Sequence, residues 1–203
     1  MFITFEGGDG AGKSTQIRRL AELLREGGHD VRVTFEPGEG DLGAELRRLM
    51  QHSGHIHART EALLFAADRA EHVARIVRPA LERGAIVLSD RYLDSSVAYQ
   101  GAARELGTQE IRDLSLWATD GLLPDLTILF DLDPRIGAAR RTGEPDRLER
   151  EPLAFHTRVR DNFLAAAAAE PERFVVIDAA REPETIAANV AAVVTARLKA
   201  GRP

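Results

Sequence analysis

Lys13, Ser14, Asp90 and Arg91 are the residues whose types and placing speak first of chemistry. Lys13 and Ser14 close the run Gly7, Gly8, Asp9, Gly10, Ala11, Gly12, Lys13, Ser14, Thr15, which matches the phosphate-loop pattern G-x-x-x-x-G-K-[ST]. Glycines let successive backbone N–H groups turn inward around phosphate oxygens, and a helix starting at Lys13 adds its positive end. Lys13 brings a compact ammonium for the outer phosphates, and Ser14 a hydroxyl for magnesium. The chain holds two lysines, Lys13 and Lys199, against 25 arginines, so Lys stands where a point charge rather than a planar fork is wanted. Asp90 ends an apolar run, as the strand-end aspartate of phosphate-loop enzymes does when it holds magnesium; its plainer reading is a surface acid or cap. Arg91 follows with a bidentate donor suited to a second phosphate group.

Phe65 and Arg69 stand at i and i+4, so one helix face carries a ring beside a guanidinium, able to stack on a base and reach its edge. The plainer reading is a core ring next to a surface cation. Ser95, Ser96, Tyr99 and Gln100 form a polar cluster that, taken alone, is a solvated helix face. Arg135, Arg140, Arg141 and Arg147 flank Thr142–Asp146. That segment reads either as a lid that closes over a nucleotide and neutralises the transferring phosphoryl group, or as a solvated arginine-rich loop. His52, His55 and His57 lie in a polar stretch with no carboxylate beside them, which reads as solvated loop rather than metal site.

The elements that must position these residues alternate. Apolar strands are expected at Phe2–Phe5, Val31–Thr34, Ala85–Ser89, Leu126–Leu132 and Phe174–Ile177. Between and after them, helices are expected from Lys13 to Gly27, Leu42 to Met50, Arg59 to Arg83, after Tyr92, Pro134 to Arg141, Pro152 to Ala169, and Pro183 to Lys199. Near-continuous apolar strands alternating with helices imply an α/β fold, a doubly wound five-stranded parallel sheet with helices on both faces and a short lid segment near 135–150. In such a sheet ligands bind beyond the carboxyl ends of the strands, where the phosphate loop, Glu36, Asp90–Arg91 and Asp131 should share one edge.

At 203 residues one domain, 1–203, suffices. A formal charge of −5 argues against a general nucleic-acid binder, and the lack of an 18-residue apolar run against a membrane span. The N-terminus reads as strand and loop rather than signal peptide, which suits the cytoplasm. With no cysteine, thiolate nucleophiles and disulfides are excluded.

Taken together, the motifs resemble the thymidylate kinase family of P-loop nucleoside monophosphate kinases over nearly the whole chain. The resemblance is carried by Glu6–Thr15, Thr34–Gly38, Leu64–His72, Asp90–Tyr92 with Ser95, Ser96, Ala98–Gly101, Pro124–Thr127 and Asp146–Glu149. It implies transfer of the γ-phosphoryl of ATP to dTMP, giving dTDP and ADP with Mg2+, by a homodimer packed through helices that include the one holding Phe65 and Arg69. It also implies that Phe65 stacks on thymine, that Arg69 reaches a base carbonyl, and that Ser96 and Gln100 touch the base edge. Asp9 is implied to hold the sugar 3′-hydroxyl, Tyr99 to crowd a ribose 2′-hydroxyl, Glu36 to line the substrate site, and Arg91 to bind the acceptor phosphate. Gly10 stands where part of the family has a loop arginine, so the chain resembles the bacterial kind with catalytic arginines in the lid, here Arg140, Arg141 and Arg147. The family often reads Arg-Glu-Pro-Gly-Gly, and here Phe35 and Glu39 depart from it, shifting a phosphate contact toward Arg91 or Arg47. The family's proline in this segment, here Pro37, often follows a cis bond. Two other readings stand: a kinase for another monophosphate or a deoxynucleoside, told apart at Arg69, Ser96 and Gln100, and a nucleotide switch, for which no Asn/Thr-Lys-x-Asp motif is present.

Overall fold

The protein is described from a computed structural model that covers residues 1–141 and 143–200. Thr142, within the expected lid, and the side chain of His52, within the histidine trio, lie outside the described residues. The strands are β1 (Phe2–Gly7), β2 (Val31–Phe35), β3 (Ile86–Asp90), β4 (Leu126–Asp131) and β5 (Phe174–Asp178). They form a parallel sheet in the order β2-β3-β1-β4-β5. The helices are α1 (Lys13–Glu26), α2 (Gly40–His52), α3 (Ala58–His72), α4 (Arg78–Glu82), α5 (Leu93–Ser96), α6 (Thr108–Ala118), α7 (Pro134–Arg140), α8 (Leu153–Ala169) and α9 (Pro183–Ala200). Among the described residues no helix is long and apolar enough to cross a membrane.

Successive strand residues point to opposite faces, and the core divides accordingly. Ile3, Phe5, Leu88, Ile128 and Phe130 pack with Ile17, Leu20 and Leu24 of α1 and Val190 and Val194 of α9. Phe2 and Val87 face the other way, onto Val73, Val77, Leu93 and Ile111. Leu129 joins Phe155, Val159 and Phe163 of α8. Both faces are therefore covered along β1, β3 and β4, which read as apolar runs, while the edge strands β2 and β5 mix buried and exposed positions and leave Val33 and Val176 exposed.

The helix expected over 59–83 is interrupted. A π-helical turn at Val73–Val77 joins α3 to α4, with the Arg78 N–H bonding the Val73 carbonyl five residues back. Pro79 supplies the reason: its ring clashes with the carbonyl four residues before it and it has no N–H to donate, and the wider turn relieves the clash. A second π-helical turn, Val97–Ala103, extends α5, and this stretch carries Tyr99 and Gln100.

The phosphate loop is pinned from outside by α7. A Cβ on Gly10, whose φ is +76°, would lie 2.3 Å from the Gly137 carbonyl oxygen, and one on Gly137 would lie 2.4 Å from that of Asp9. Backbone rests on backbone here, so neither position accepts a side chain. Gly137→Ala is expected to cost about 1–3 kcal/mol and to weaken phosphate binding by displacing the loop. Thermal unfolding and titration with a nucleoside triphosphate check this, and unchanged values for both would contradict the packing argument.

Candidate active site

The carboxyl ends of β1, β2 and β3 open into one cavity of about 1420 Å3, lined by the phosphate loop, Phe65, Arg69, Arg91, Ser96, Tyr99, Gln100 and Arg140 among others. At its floor the Lys13 ammonium donates to the carbonyls of Gly7 (3.0 Å) and Gly8 (2.9 Å). Burial pulls its pKa below the ordinary lysine value, with Arg91 adding to the effect. Ser14 Oγ donates to Asp90 Oδ2 at 2.7 Å, so the loop hydroxyl and the strand-end carboxylate meet as the sequence led one to expect.

Arg91 has φ +70°, a conformation that L side chains seldom adopt, and its guanidinium lies over the Tyr99 ring at 5.2 Å. It pairs with Asp9 and donates to Ser95 Oγ at 2.9 Å. The Tyr99 hydroxyl donates to Asp9 Oδ2 at 3.3 Å. Burial alone would raise the Asp9 pKa, but the charges of Arg91 and Lys13 outweigh it and bring it down to about 2. Beneath this group lies Glu6, buried at the end of β1, accepting from the Tyr92 and Ser95 N–H groups and from Ser95 Oγ at 2.6 Å. Burial, reinforced by Asp94, pushes its carboxyl well above the ordinary range. Glu6 was not singled out in the sequence; the signal that could have found it is an acidic residue within a mostly apolar strand.

The pair on α3 reverses its plainer reading. Arg69 is 2% exposed while Phe65 is half-buried at the cavity wall. Arg69 donates through Nε to Glu36 (2.8 Å), through Nη1 to Ser115 Oγ, and through Nη2 to the Tyr92 carbonyl and to Ser96 Oγ (3.0 Å). Glu36 also meets His72 Nδ1 at 2.8 Å. Burial would raise the Glu36 carboxyl, but Arg69 and His72 hold it below the ordinary value. The cluster Ser95, Ser96, Tyr99 and Gln100 is buried rather than a solvated face, because α5 packs on α6 and the π-helical turn that extends it packs on α6 and α8.

Asp68, also buried, accepts from the Gly38 N–H at 3.0 Å. Burial, then the charge of Glu36, push its pKa up from 3.8 to about 6. A raised acid pKa means that the folded state keeps a proton which the unfolded chain has lost, so this group lowers stability as pH rises from about 4 to about 6. Asp68→Asn is expected to remove that loss, at most about 1.4 kcal/mol per pH unit across the window. Melting temperatures of both proteins between pH 4 and 7 check it, and parallel curves would contradict it.

The Glu36–Pro37 peptide bond is cis. Phe35 is 40% exposed, with the Arg47 guanidinium 5.8 Å from its ring and Arg47 Nη1 donating to the Pro37 carbonyl at 2.7 Å. Glu39 turns away to Arg32. The arginines expected in a lid part company. Arg140 reaches the large cavity and donates to the Ala179 carbonyl at 3.0 Å. Arg141 donates to the Glu149 carbonyl and lines a small second cavity on the other side of the phosphate loop. Arg147 is held by Glu61 of α3 and by the Met50 carbonyl (2.9 Å), and its Nη2 is buried without a partner among the described residues. Arg135 is exposed beside Asp133. Asp131 belongs to the second cavity, its two oxygens accepting from Arg160 Nε and Nη2 at 2.6 and 2.9 Å. Asp131 thus ends β4 on the expected edge but does not line the large cavity. His57 accepts from the Arg59 N–H at the start of α3, and His55 is exposed. Glu61, Asp68 and Arg104 carry much of this network and were not singled out in the sequence, where each looks like an ordinary helix charge.

Comparison with known proteins agrees with this geometry. The family model described as Thymidylate kinase matches residues 5–190. The chain is 61% identical to a Thymidylate kinase of Clavibacter sepedonicus, over 99% of this chain and 97% of the relative. It is 50% identical to one of Deinococcus radiodurans, over 97% of each. The crystal structure of thymidylate kinase from Ehrlichia chaffeensis superposes with a TM-score of 0.80 at 35% identity, covering 96% of this chain and 98% of that one.

Proposed function

We propose, from the premise that this chain belongs to the thymidylate kinase family and phosphorylates dTMP to dTDP with ATP, that the large cavity holds the two nucleotides with their phosphates meeting above Lys13 and Arg91. The observation that carries this reading is that phosphate-binding, sugar-binding and base-binding candidates all line one cavity. The loop amides and Lys13 take the ATP phosphates, Lys13 exchanging its carbonyl partners for phosphate oxygens on a flexible stem. Arg91, oriented by Asp9 and Ser95, takes the phosphate of dTMP. Asp9, ionised throughout the neutral range, accepts from the sugar 3′-hydroxyl. Phe65 stacks on thymine, and Arg69, Ser96 and Gln100 face its edge while Glu36 fixes Arg69. Arg140, Arg141 and Arg147 stand for the lid of a single kinase domain.

Ser14 Oγ and Asp90 Oδ2 are hard oxygen donors 2.7 Å apart at the phosphate end, a set that suits Mg2+. When bound there, the ion would help to neutralise phosphate charge. The acceptor needs no strong general base, because a phosphate monoester with a second pKa of about 6 is already mostly dianionic at neutral pH. The residues act chiefly by holding two anions in line and offsetting their repulsion. Exposed Leu63 on α3 and Trp117 on α6, 58% and 82% accessible on helices that pack together, support a homodimer through this face. The reaction belongs in the cytoplasm, where both nucleotides are found, and asks for no nucleic acid or membrane partner.

A coupled ADP-release assay with ATP and Mg2+ tests the reading, comparing dTMP with dUMP, dCMP, dGMP, dAMP, thymidine and no acceptor. Strong preference for dTMP is expected; preference for another acceptor, or hydrolysis without one, would overturn the base-pocket assignment. Tyr99→Phe is expected to keep activity on dTMP and its rejection of the ribonucleotide analogue, while Tyr99→Ala accepts that analogue about tenfold better, because ring bulk fills the space of a 2′-hydroxyl. Equal loosening in both variants would refute the role of bulk.

A further inference from the structure

Glu61 lies fully buried where α3, the helical turn carrying Gln100 and the lid segment meet. Its Oε1 accepts from Gln100 Nε2 at 2.9 Å and from Arg104 Nε at 3.3 Å. Its Oε2 accepts from Arg104 Nη2 at 3.3 Å and from Arg147 Nη1. Burial would protonate such a carboxyl, but Gln100, Arg147 and Arg104 together hold it below the ordinary range, so it is a carboxylate at neutral pH. A carboxylate only accepts hydrogen bonds. The end of the Gln100 amide that faces Glu61 must therefore be the NH2 group, which leaves the amide oxygen for the cavity that Gln100 lines. Among the described residues no protein donor reaches that oxygen. Arg69, on the same cavity, offers donors only.

We infer that Glu61 is a positioning residue that sets the polarity of the base pocket, holding the Gln100 amide with its oxygen inward so that a base with a ring N–H donor is accepted. Thymine presents that N–H at N3, beside a carbonyl for Arg69. Cytosine presents a bare ring nitrogen there, which would face the Gln100 oxygen lone pair to lone pair. The inference rests on the dTMP reading and adds to it the group that enforces the choice of base. Without Glu61 an amide is free to turn over, because its two ends have nearly the same shape.

The test is the ratio of kcat/KM for dTMP to that for dCMP. Glu61→Gln keeps the volume but can donate as well as accept, so the ratio is expected to fall about tenfold or more. Glu61→Asp is smaller but still only accepts, so it is expected to keep the ratio within about threefold even where overall activity drops. In a Gln100→Met background, Glu61→Gln is expected to change the ratio no further, since its effect runs through the amide. A wild-type ratio in Glu61→Gln, or an equal fall in both Gln100 backgrounds, would overturn the inference. Should Glu61→Gln fail to fold, Glu61→Ala takes its place, since it removes the acceptor and leaves Arg104 and Arg147 as donors beside the amide: a ratio about tenfold lower in a folded protein supports the role, and a wild-type ratio overturns it. A wild-type enzyme that does not phosphorylate dTMP would instead overturn the substrate reading, so the two failures are distinct.

Discussion

Lys13→Ala is expected to lower kcat by about a thousandfold, because on the proposed reading it removes a preorganised cation from the point where charge builds on the transferring phosphoryl group. The loss is expected to be large because Lys13 is buried, and charges act more strongly on one another away from bulk water. Lys13→Arg should recover little. Its planar fork cannot sit between the Gly7 and Gly8 carbonyls as a compact ammonium does. The ADP-release assay at saturating ATP and dTMP measures this, and near-normal turnover of the alanine variant would contradict the role assigned to Lys13.

Arg69→Met is expected to damage stability and activity together. Glu36 would keep His72 but lose its permanent cation in a site where it is almost wholly buried, and breaking such a pair costs about 3–5 kcal/mol. In a chain of this size that lowers the melting temperature by roughly 10 °C or more. The double variant Glu36→Gln with Arg69→Met removes both charges and should recover much of the stability. It should not recover dTMP turnover, because the donor proposed to face the base is still missing. Melting curves and kcat/KM on the three proteins separate the two roles. Recovery of activity along with stability would mean that Arg69 serves the fold alone.

Local patterns in the sequence carried much of the site because phosphate chemistry depends on backbone shape, and backbone shape on glycine. The loop Gly7–Thr15 and its Lys13 could be read directly, as could Asp90 at the end of an apolar strand. The strands were legible to within a residue or two at most ends, since each is an apolar run bounded by turn residues. The break in the long helix was also written in the chain, as Pro79, although its form as a π-helical turn was not. Burial of charge was much less legible. Arg69 and Glu61 look like surface residues of amphipathic helices, and their burial follows from partners 33 and 39 positions away, Glu36 and Gln100.

The amino-acid sequence by itself determined the parallel α/β sheet, the phosphate loop and the set of polar residues at the strand ends, because these follow from short-range periodicity and turn chemistry. Only the tertiary structure decided which arginine faces the cavity, that α7 seats Gly137 against the loop, and that Glu61 turns the Gln100 amide. Those outcomes depend on where distant elements meet, and the direction of a hydrogen bond is settled by the charge and burial of the partner found there.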